Sequence, residues 1–210
     1  KGKKVKGWKY QKNNSAITAV PIHFTAGKDY ILRPTIDGNT CLLARNGSVR
    51  INYSNTTDFT NHPVQIDNKG KVYALTTNGT LWMGNTDGTS SELALENLGV
   101  NSLFVVKNTN TEQKFIYTDE NTVYITNTNF EQIQIINLKE KILEINVYQE
   151  YLIIVTKNEL FLYQKGDIVE GTPIKTDGLF TISDIDNNGK INIINTTNGF
   201  IYNYELGSIQ

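Results

Sequence analysis

An internal repeat of about 40 residues is the feature that most constrains the fold of this 210-residue chain. Five short apolar segments recur along the sequence, and their first residues lie 40, 42, 38 and 40 positions apart. A fixed period of this size indicates that one supersecondary unit is copied along the chain. The five segments are residues 40–45, 80–85, 122–127, 160–164 and 200–205.

A second apolar segment precedes each of these five across a short polar turn. Two of the turns contain Asn-Gly, at Asn78-Gly79 and Asn198-Gly199. This pair predicts a type I′ hairpin, because that turn needs positive φ at both central residues. A more polar segment follows the apolar one, as at 48–54 and 131–138. The preceding segments are residues 30–35, 71–77, 114–118, 151–157 and 190–197.

One repeat therefore predicts a four-stranded antiparallel sheet, which has the length of one propeller blade. The middle strands, such as 151–155, are apolar on both faces, as expected between two neighbouring sheets. We predict an all-β propeller of about five four-stranded blades, centred near residues 30–54, 71–95, 114–138, 151–174 and 190–205. A short helical turn is the alternative at 90–99 and at 138–145, where good helix formers occur.

Composition and charge exclude several classes of protein. Lys and Arg total 20 against 21 Asp and Glu, so a nucleic acid is not the expected partner. No apolar run approaches the roughly 20 residues of a membrane helix, and residues 1–12 do not resemble a signal peptide. A single cysteine, Cys41, excludes an intrachain disulfide, and with only His23 and His62 beside it a structural zinc site is not expected.

The segment 184–193, followed by Asn198-Gly-Phe-Ile-Tyr202, resembles a blade of the FG-GAP/VCBS type of β-propeller. Only the fifth repeat carries this motif, and the other four match in spacing. The whole chain is similar to the C-terminal propeller region of long secreted or envelope proteins of Bacteroidota. The resemblance implies a binding or scaffold platform located in the periplasm, at the cell surface or outside the cell.

A candidate calcium loop lies within the same motif. Asp184, Asp186 and Asn188 stand at positions 1, 3 and 5 of a D-x-D-x-N-G sequence, with the Lys190 carbonyl at position 7 and Asn192 at position 9. Oxygen ligands at this spacing can converge on Ca²⁺. Asn replaces Asp at two positions, so only two formal negative charges remain. We predict a loop of this shape that binds calcium weakly or not at all, the alternative being a plain Asx turn.

Other conspicuous residues have simpler interpretations. The lysines of residues 1–12 are typical of a protected sheet edge rather than of a polyanion site. Both histidines are interpreted as hydrogen-bonded structural residues, Cys41 as a small buried apolar residue, and Trp82 as a core residue. No catalytic constellation and no cofactor motif occur in the sequence.

Two functions follow as hypotheses. The first is a non-enzymatic binding or scaffold module whose partner is another protein or a surface glycan. The alternative is a glycan-active hydrolase or lyase, which needs two facing carboxylates, and the candidates are Asp29, Asp67, Asp184 and Asp186.

The chain ends carry the last prediction. Residues 2–10 are predicted to form a fourth strand with no third strand before it. The fifth repeat, by contrast, has no fourth strand of its own. Pairing of residues 3–9 with 201–205 would supply that strand and close a five-bladed ring. The alternative is that the chain is a fragment of a longer protein and forms an arc of a larger ring. In both cases residues 1–210 are expected to be a single propeller domain.

Overall fold

The structure is a computed structural model, and it describes residues 6–10, 17, 20–33, 40–53, 58–109 and 112–206. Within these ranges the secondary structure is all β, with twenty strands in five antiparallel sheets. No helix occurs in the described residues, so none is available that could cross a membrane. The predicted all-β architecture of about five sheets is confirmed.

The first three sheets have four strands each, and the chain order is also the spatial order. The first sheet contains β1 (Ile22–Ala26), β2 (Lys28–Arg33), β3 (Cys41–Leu43) and β4 (Val49–Asn52). The second contains β5 (Gln65–Ile66), β6 (Val72–Leu75), β7 (Leu81–Gly84) and β8 (Ser90–Leu93). The third contains β9 (Phe104–Asn108), β10 (Gln113–Asp119), β11 (Thr122–Thr126) and β12 (Gln132–Asn137).

The last two sheets depart from this plan. The fourth contains β13 (Ile142–Tyr148), β14 (Tyr151–Thr156), β15 (Glu159–Gln164), β16 (Asp167–Ile168) and β17 (Ile174–Lys175), and both β16 and β17 pair with β15. The fifth contains β18 (Phe180–Ser183), β19 (Asn192–Thr197) and β20 (Phe200–Glu205). Its described part therefore has three strands where the first three sheets have four.

The five repeated apolar segments are the third strands of the sheets, namely β3, β7, β11, β15 and β20. Each sheet also has a first strand that lies before the predicted residue range of its blade. These first strands are β1, β5, β9, β13 and β18. These first strands are short or of mixed polarity, so the sequence pattern did not single them out. The alternative of helical turns is wrong, because strands occupy both places, as β8 and β13.

The two Asn-Gly turns differ in backbone conformation. Asn198 and Gly199 have φ of 52° and 77°, which is the predicted type I′ turn. At the other site only Gly79 has positive φ, at 77°, and its N–H donates to Thr76 O at 3.0 Å. Thr76 N–H in turn donates to Thr80 O at 3.0 Å, so this connection has three residues, with the glycine in the left-handed position.

Residues 1–108 and 109–210 form two compact units. The core of the first unit is rich in aromatic residues. Trp82 is 1% exposed, and its ring contacts Tyr53 edge-on and Phe59 at a tilt, with centroid distances of 5.0 and 5.1 Å. Tyr30, Leu32, Leu42 and Val72 complete the cluster around it. The prediction that Trp82 packs in the core is confirmed.

One core cluster of the second unit is aliphatic. Its buried members are Ile153, Val155, Leu160, Leu162, Ile174 and Ile193. The aromatic side chains packed against this cluster, such as Phe180 and Tyr204, are only partly buried. These residues come from the fourth and fifth sheets, so the two sheets pack face to face within this unit.

Candidate binding site at the open edge of the fifth sheet

A cavity of about 690 Å³ lies in the second unit, between the fourth and fifth sheets. One wall is the segment from Gln164 to Ile174, which includes β16 and the start of β17. The other wall is formed by Ile193 of β19 and by Tyr204, Glu205 and Leu206 at the end of β20. We refer to it as the edge cavity.

The edge cavity exists because the fourth strand of the fourth sheet is interrupted. Residues 169–173 leave the sheet between β16 and β17, with Gly171 at φ 84°. The neighbouring strand keeps its hydrogen bonds, because Leu162 O accepts from Val169 N at 2.9 Å and Leu162 N–H donates to Thr172 Oγ1 at 3.4 Å. The excursion therefore opens a space beside β15 while both backbone groups of Leu162 stay paired.

The floor of the cavity is apolar and firmly attached to the core. Ile174 and Ile193 are buried, and Tyr204 and Leu206 pack against the same cluster. Asn195 Nδ2 donates to Lys175 O at 2.6 Å, which ties β19 directly to β17. The two walls are thus held together on the core side, and the cavity opens to solvent on the other.

The rim of the cavity is mainly acidic. Asp167 and Glu170 are exposed, and no described side chain forms an ion pair or hydrogen bond with either of them. Glu205 is different, because it accepts from Lys190 Nζ at 2.6 Å and from Asn188 Nδ2 at 3.0 Å. The hydrogen bond from Lys190 lowers the pKa of the Glu205 carboxyl. Lys165 is the cationic residue of the lining.

The backbone of β20 has one paired and one open side. Across the type I′ turn, Thr197 and Phe200 form a hydrogen-bonded pair, so alternate residues Tyr202 and Tyr204 also bond to β19. Leu206 N–H continues this series by donating to Ile191 O at 2.8 Å. The N–H and C=O groups of Ile201, Asn203 and Glu205 therefore point away from β19. Among the described residues no other strand pairs with β20.

Large apolar side chains are exposed on the fifth sheet, on β20 and directly before β18. Leu179 is 71% exposed, Phe200 66% and Ile201 76%, and Tyr202 is also exposed. Thr196 pairs with Ile201 and donates its N–H to Leu179 O at 3.0 Å, so Leu179 and Ile201 flank Thr196 on one face of the sheet. We call these four residues the apolar edge.

The candidate calcium loop is closed by its own hydrogen bonds. Asp184 accepts from the N–H groups of Asn188 and Gly189, at 3.1 and 2.9 Å, and Asp186 accepts from Asn188 Nδ2 at 2.9 Å. Asn192 Oδ1 accepts from Ile185 N at 3.2 Å. Lys190 Nζ already places a positive charge at the loop, and its hydrogen bond to Glu205 raises the Lys190 pKa, with a smaller contribution from the charge of Asp186. Weak or absent calcium binding stays a prediction.

The other two candidate carboxylates also serve local turns. Asp67 is buried and accepts from Lys69 N at 2.9 Å, Lys71 N at 2.8 Å and Tyr73 Oη at 3.0 Å. Asp29 accepts from Thr25 Oγ1 at 2.9 Å, and this hydrogen bond lowers the Asp29 pKa. In the described residues no group of three or more His, Cys, Asp or Glu side chains is arranged to hold a metal ion.

The histidines and the cysteine have structural surroundings. His62 Nε2 lies 2.7 Å from Phe104 O and 3.0 Å from Phe104 N, so the ring bonds the backbone of β9 in either tautomer. His23 lies on β1, 3.4 Å from Asp29 Oδ1. Cys41 is buried, and Arg33 Nε donates to its sulfur at 3.4 Å. The predicted hydrogen-bonded His62 and buried Cys41 are confirmed, and a structural role for His23 stays a prediction.

The predicted fourth strand at residues 2–10 falls partly outside the described residues. Residues 6–10 contain a turn at Lys6 and Gly7 and no strand. Lys9 N–H donates to Asn46 O at 2.7 Å, and the Trp8 ring lies against Gly47. The pairing of 3–9 with 201–205 stays a prediction, because residues 1–5 are not described.

Sequence reasoning missed the edge cavity, although one signal for it was present. The segment from Val169 to Pro173 breaks the fourth repeat with Gly and Pro where the first three repeats continue into a polar strand. Such a break indicates that the fourth strand of this sheet is interrupted.

Comparison with known proteins identifies the fold. The chain is similar in structure to BBS1N, solved in complex with ARL6DN, with a TM-score of 0.68 and 13% identity over 100% of this chain and 67% of that one. It is also similar to BamB from Moraxella catarrhalis, with a TM-score of 0.57 and 15% identity over 93% of this chain and 66% of that one. This chain has the β-propeller fold.

A third propeller with this similarity is virginiamycin B lyase from Staphylococcus aureus, with a TM-score of 0.58 and 14% identity over 90% of this chain and 70% of that one. The propeller described here thus spans about two thirds of the length of these chains. No protein-family model matches its sequence, and no curated protein matches it significantly. The similarity is therefore one of fold.

Proposed function

We propose that this propeller is a non-enzymatic binding module and that its partner is another protein. The observation that carries the proposal is the apolar edge, which lies on the same strand, β20, whose end lines the edge cavity. Exposed apolar residues that stand singly are normal on a soluble protein, whereas a contiguous exposed group marks an interaction surface. Phe200, Ile201 and Tyr202 are three consecutive exposed residues of β20. Phe200 and Tyr202 lie on one face of the sheet, and Ile201 lies on the other face, as does Leu179.

The chemistry of this surface favours a protein over a small substrate. Tyr and Phe side chains are enriched at the centres of protein interfaces, and a polar rim around them is typical. Asp167 and Glu170 supply polar groups at the edge cavity, where β20 ends, while the floor of the cavity is apolar. By contrast, the exposed large apolar residues of the first unit, such as Val49 and Val100, stand singly in the sequence.

The enzyme alternative has no comparable support in the described residues. Asp67, Asp184 and Asp186 accept hydrogen bonds within their own turns, and Asp29 is bound by Thr25. The propeller fold itself carries both kinds of function, since BBS1N is described in a complex and another similar chain is a lyase. The choice between a binding module and an enzyme therefore rests on the residues of the site rather than on the fold.

The proposal keeps two finer elements from the FG-GAP/VCBS resemblance. One is a location in the periplasm, at the cell surface or outside the cell. The other is a surface glycan as the second candidate partner, for which the stacked rings of Tyr202 and Tyr204, with centroids 6.2 Å apart, would offer a platform. A glycan partner would leave the apolar Leu179 and Ile201 unexplained, so the protein partner is preferred.

Photo-crosslinking in the source organism tests the proposal. A photoreactive residue at Ile201 is expected to give a protein adduct, whereas the same residue at Val49, also exposed on a sheet edge, gives none. The identified partner should then bind the purified propeller, and Ile201→Lys should weaken binding by about tenfold or more. Equal adducts from both positions, or unchanged affinity in Ile201→Lys, would refute the proposal.

A further inference from the structure

We propose that the outer edge of β12 (Gln132–Asn137) pairs with the same strand of a second copy of this chain, antiparallel and about a two-fold axis at Ile135. The third sheets of the two copies would then form one continuous sheet. This surface lies on the third sheet, so the inference goes beyond the partner surface proposed on the fifth sheet and can be tested separately from it.

The strand β12 is the outermost strand of the third sheet. It pairs with β11 on one side, and in the part of the chain that the structure describes no strand pairs with its other side. Residues 112–206 are described without a gap, so β12 and the segments on both sides of it are defined. An unpaired strand edge offers a row of N–H and C=O groups to another chain.

The register with β11 shows which backbone groups of β12 face outward. Leu138 N–H donates to Asn121 O at 2.9 Å. Because alternate residues of an antiparallel strand bond to the same neighbour, Ile136 also bonds to β11. The N–H and C=O groups of Ile135 and Asn137 therefore point to the open side. Ile135 thus supplies both groups that a hydrogen-bonded pair with a new strand requires.

The strand β12 lacks the features that protect the other outer strands. The strands β4 and β8 have four residues each and contain Arg50 and Glu92, and β16 has two residues and contains Asp167. Short length and charged side chains prevent a sheet edge from pairing with another chain. By contrast, β12 has six residues, none of them charged, and Ile133 and Ile135 are 48% and 44% exposed.

Contacts within the second unit hold β12 in its strand conformation. Ile136 is buried, and Gln134 Nε2 donates to Gly166 O at 2.8 Å, which ties the strand to the turn between β15 and β16. An edge that is already ordered loses little conformational entropy when it binds. The open side of β12 is therefore a preformed surface.

The charges beside β12 favour a second copy of this chain as the occupant. Glu131 and Lys139 are exposed and lie four residues before and after Ile135. A two-fold antiparallel pair centred on Ile135 brings Glu131 of each copy towards Lys139 of the other. Glu131 accepts from the neutral Asn127 Nδ2 at 2.7 Å, and no described residue forms an ion pair with Lys139. The surface is thus complementary to itself, as a two-fold interface requires.

Sedimentation equilibrium of the purified chain tests the proposal. We expect a reversible dimer, and Ile135→Lys should raise its dissociation constant at least about tenfold, because two like charges then meet at the two-fold axis. The matched change Val49→Lys, on the exposed outer strand β4, should leave the dissociation constant unchanged. Circular dichroism checks that both variants fold. A single strand pair is a small interface, so the measurement extends to high protein concentration.

Charge exchange tests the antiparallel arrangement. Glu131→Lys alone and Lys139→Glu alone should each weaken self-association, because each variant brings like charges together at both ends of the pair. An equimolar mixture of the two variants should form a heterodimer at least as readily as the wild type dimerises, because every such contact then joins opposite charges. Failure of the mixture to associate would overturn the two-fold antiparallel pairing.

Hydrogen exchange tests the backbone pairing without any substitution. The amide of Ile135 points to the open side, so its exchange should slow as the protein concentration rises. The amide of Ile136 bonds to β11 in every state and serves as the internal control. Slowing at Ile136 alone, or no change at Ile135 in a sample that is dimeric, would show that β12 is not the dimer edge.

Two further results would overturn the proposal. One is a chain that remains monomeric up to about 1 mM. The other is a dimer that Ile201→Lys dissociates and Ile135→Lys does not, which would assign self-association to the fifth sheet. Crosslinking of a different protein at Ile201 is a separate readout, so the proposed binding function stands or fails independently of the dimer.

Discussion

The third strands of the second and fifth sheets occupy the same position in the repeat but have opposite surroundings. All four residues of β7 are buried, with Leu81 at 0% and Trp82 at 1% exposure. In β20 the residues 120 positions later, Ile201 and Tyr202, are 76% and 41% exposed. Both strands are apolar and aromatic, so composition does not cause the difference.

Coverage causes it. The strand β7 has β6 on one side and β8 on the other, and its side chains enter the aromatic cluster of Tyr53 and Phe59. The strand β20 has a strand on one side only within the described residues. The same kind of sequence is therefore buried in the core in one repeat and exposed as an apolar surface in another. The predictions below test this contrast.

The largest effect is expected from truncating the buried aromatic residue. Trp82→Ala should lower the free energy of unfolding by about 3–5 kcal/mol, because it removes a fully buried ring and leaves a cavity between Tyr53 and Phe59. The matched change Tyr202→Ala should cost less than about 1 kcal/mol, because that ring is already partly in water. Urea unfolding of both variants measures the difference, and equal losses would contradict the contrast.

A second test compares two turn carboxylates. Asp67→Ala should cost about 1–3 kcal/mol, because it removes the buried carboxylate that accepts from the Lys71 N–H and the Tyr73 hydroxyl. Asp184→Ala removes a similar acceptor from an exposed turn, where water replaces it, and should cost less than about 1 kcal/mol. Thermal unfolding at one pH ranks the two variants, and the reverse order would refute this interpretation.

A third test uses pH. Burial lowers the pKa of His62 below its ordinary value of 6.5, so the unfolded chain binds a proton more readily than the folded one. The contribution of His62 to stability is therefore complete above pH 6.5 and is lost as the pH falls from 6.5 through the folded pKa. His62→Gln should flatten the dependence of unfolding free energy on pH in this window. An unchanged slope in the variant would show that His62 is not its source.

The smallest effect is expected from calcium. The loop 184–192 already satisfies Asp184 with two backbone N–H groups and has Lys190 beside it, so added Ca²⁺ should leave the melting temperature almost unchanged. Calorimetry with the wild type and Asp184→Ala gives the direct comparison. Submicromolar affinity in the wild type that disappears in Asp184→Ala would show the prediction to be wrong.

The sequence predicted the strands that are continuously apolar, because burial on both faces leaves a clear signal. Residues 151–157 became β14 (Tyr151–Thr156) with every residue buried. The first strands, such as β5 (Gln65–Ile66), were not predicted, because two residues are too few to show alternation. The conformation at Asn78-Gly79 was also missed, since the loop length that selects the turn type depends on the register of the paired strands.

The candidate site was less predictable than the fold. The calcium motif at Asp184 and Asp186 has a clear sequence signature, yet its carboxylates are engaged within the loop. The edge cavity has no signature of its own, because Val169 and Ile193 meet only when two sheets pack together. The residue pattern within one repeat predicts its strands. A cavity between two sheets cannot be predicted in this way, because it depends on how the sheets pack together.

The interruption between β16 and β17 determines where the fourth sheet can accept insertions or deletions. The hydrogen bonds of Leu162 to Val169 and Thr172 anchor both ends of the excursion, so the residues between them carry no ladder contacts of the sheet. Insertions or deletions there should be tolerated, as they are at exposed loop tips. Related chains could therefore vary the length of this segment and alter which ligands they accept while retaining the same blade.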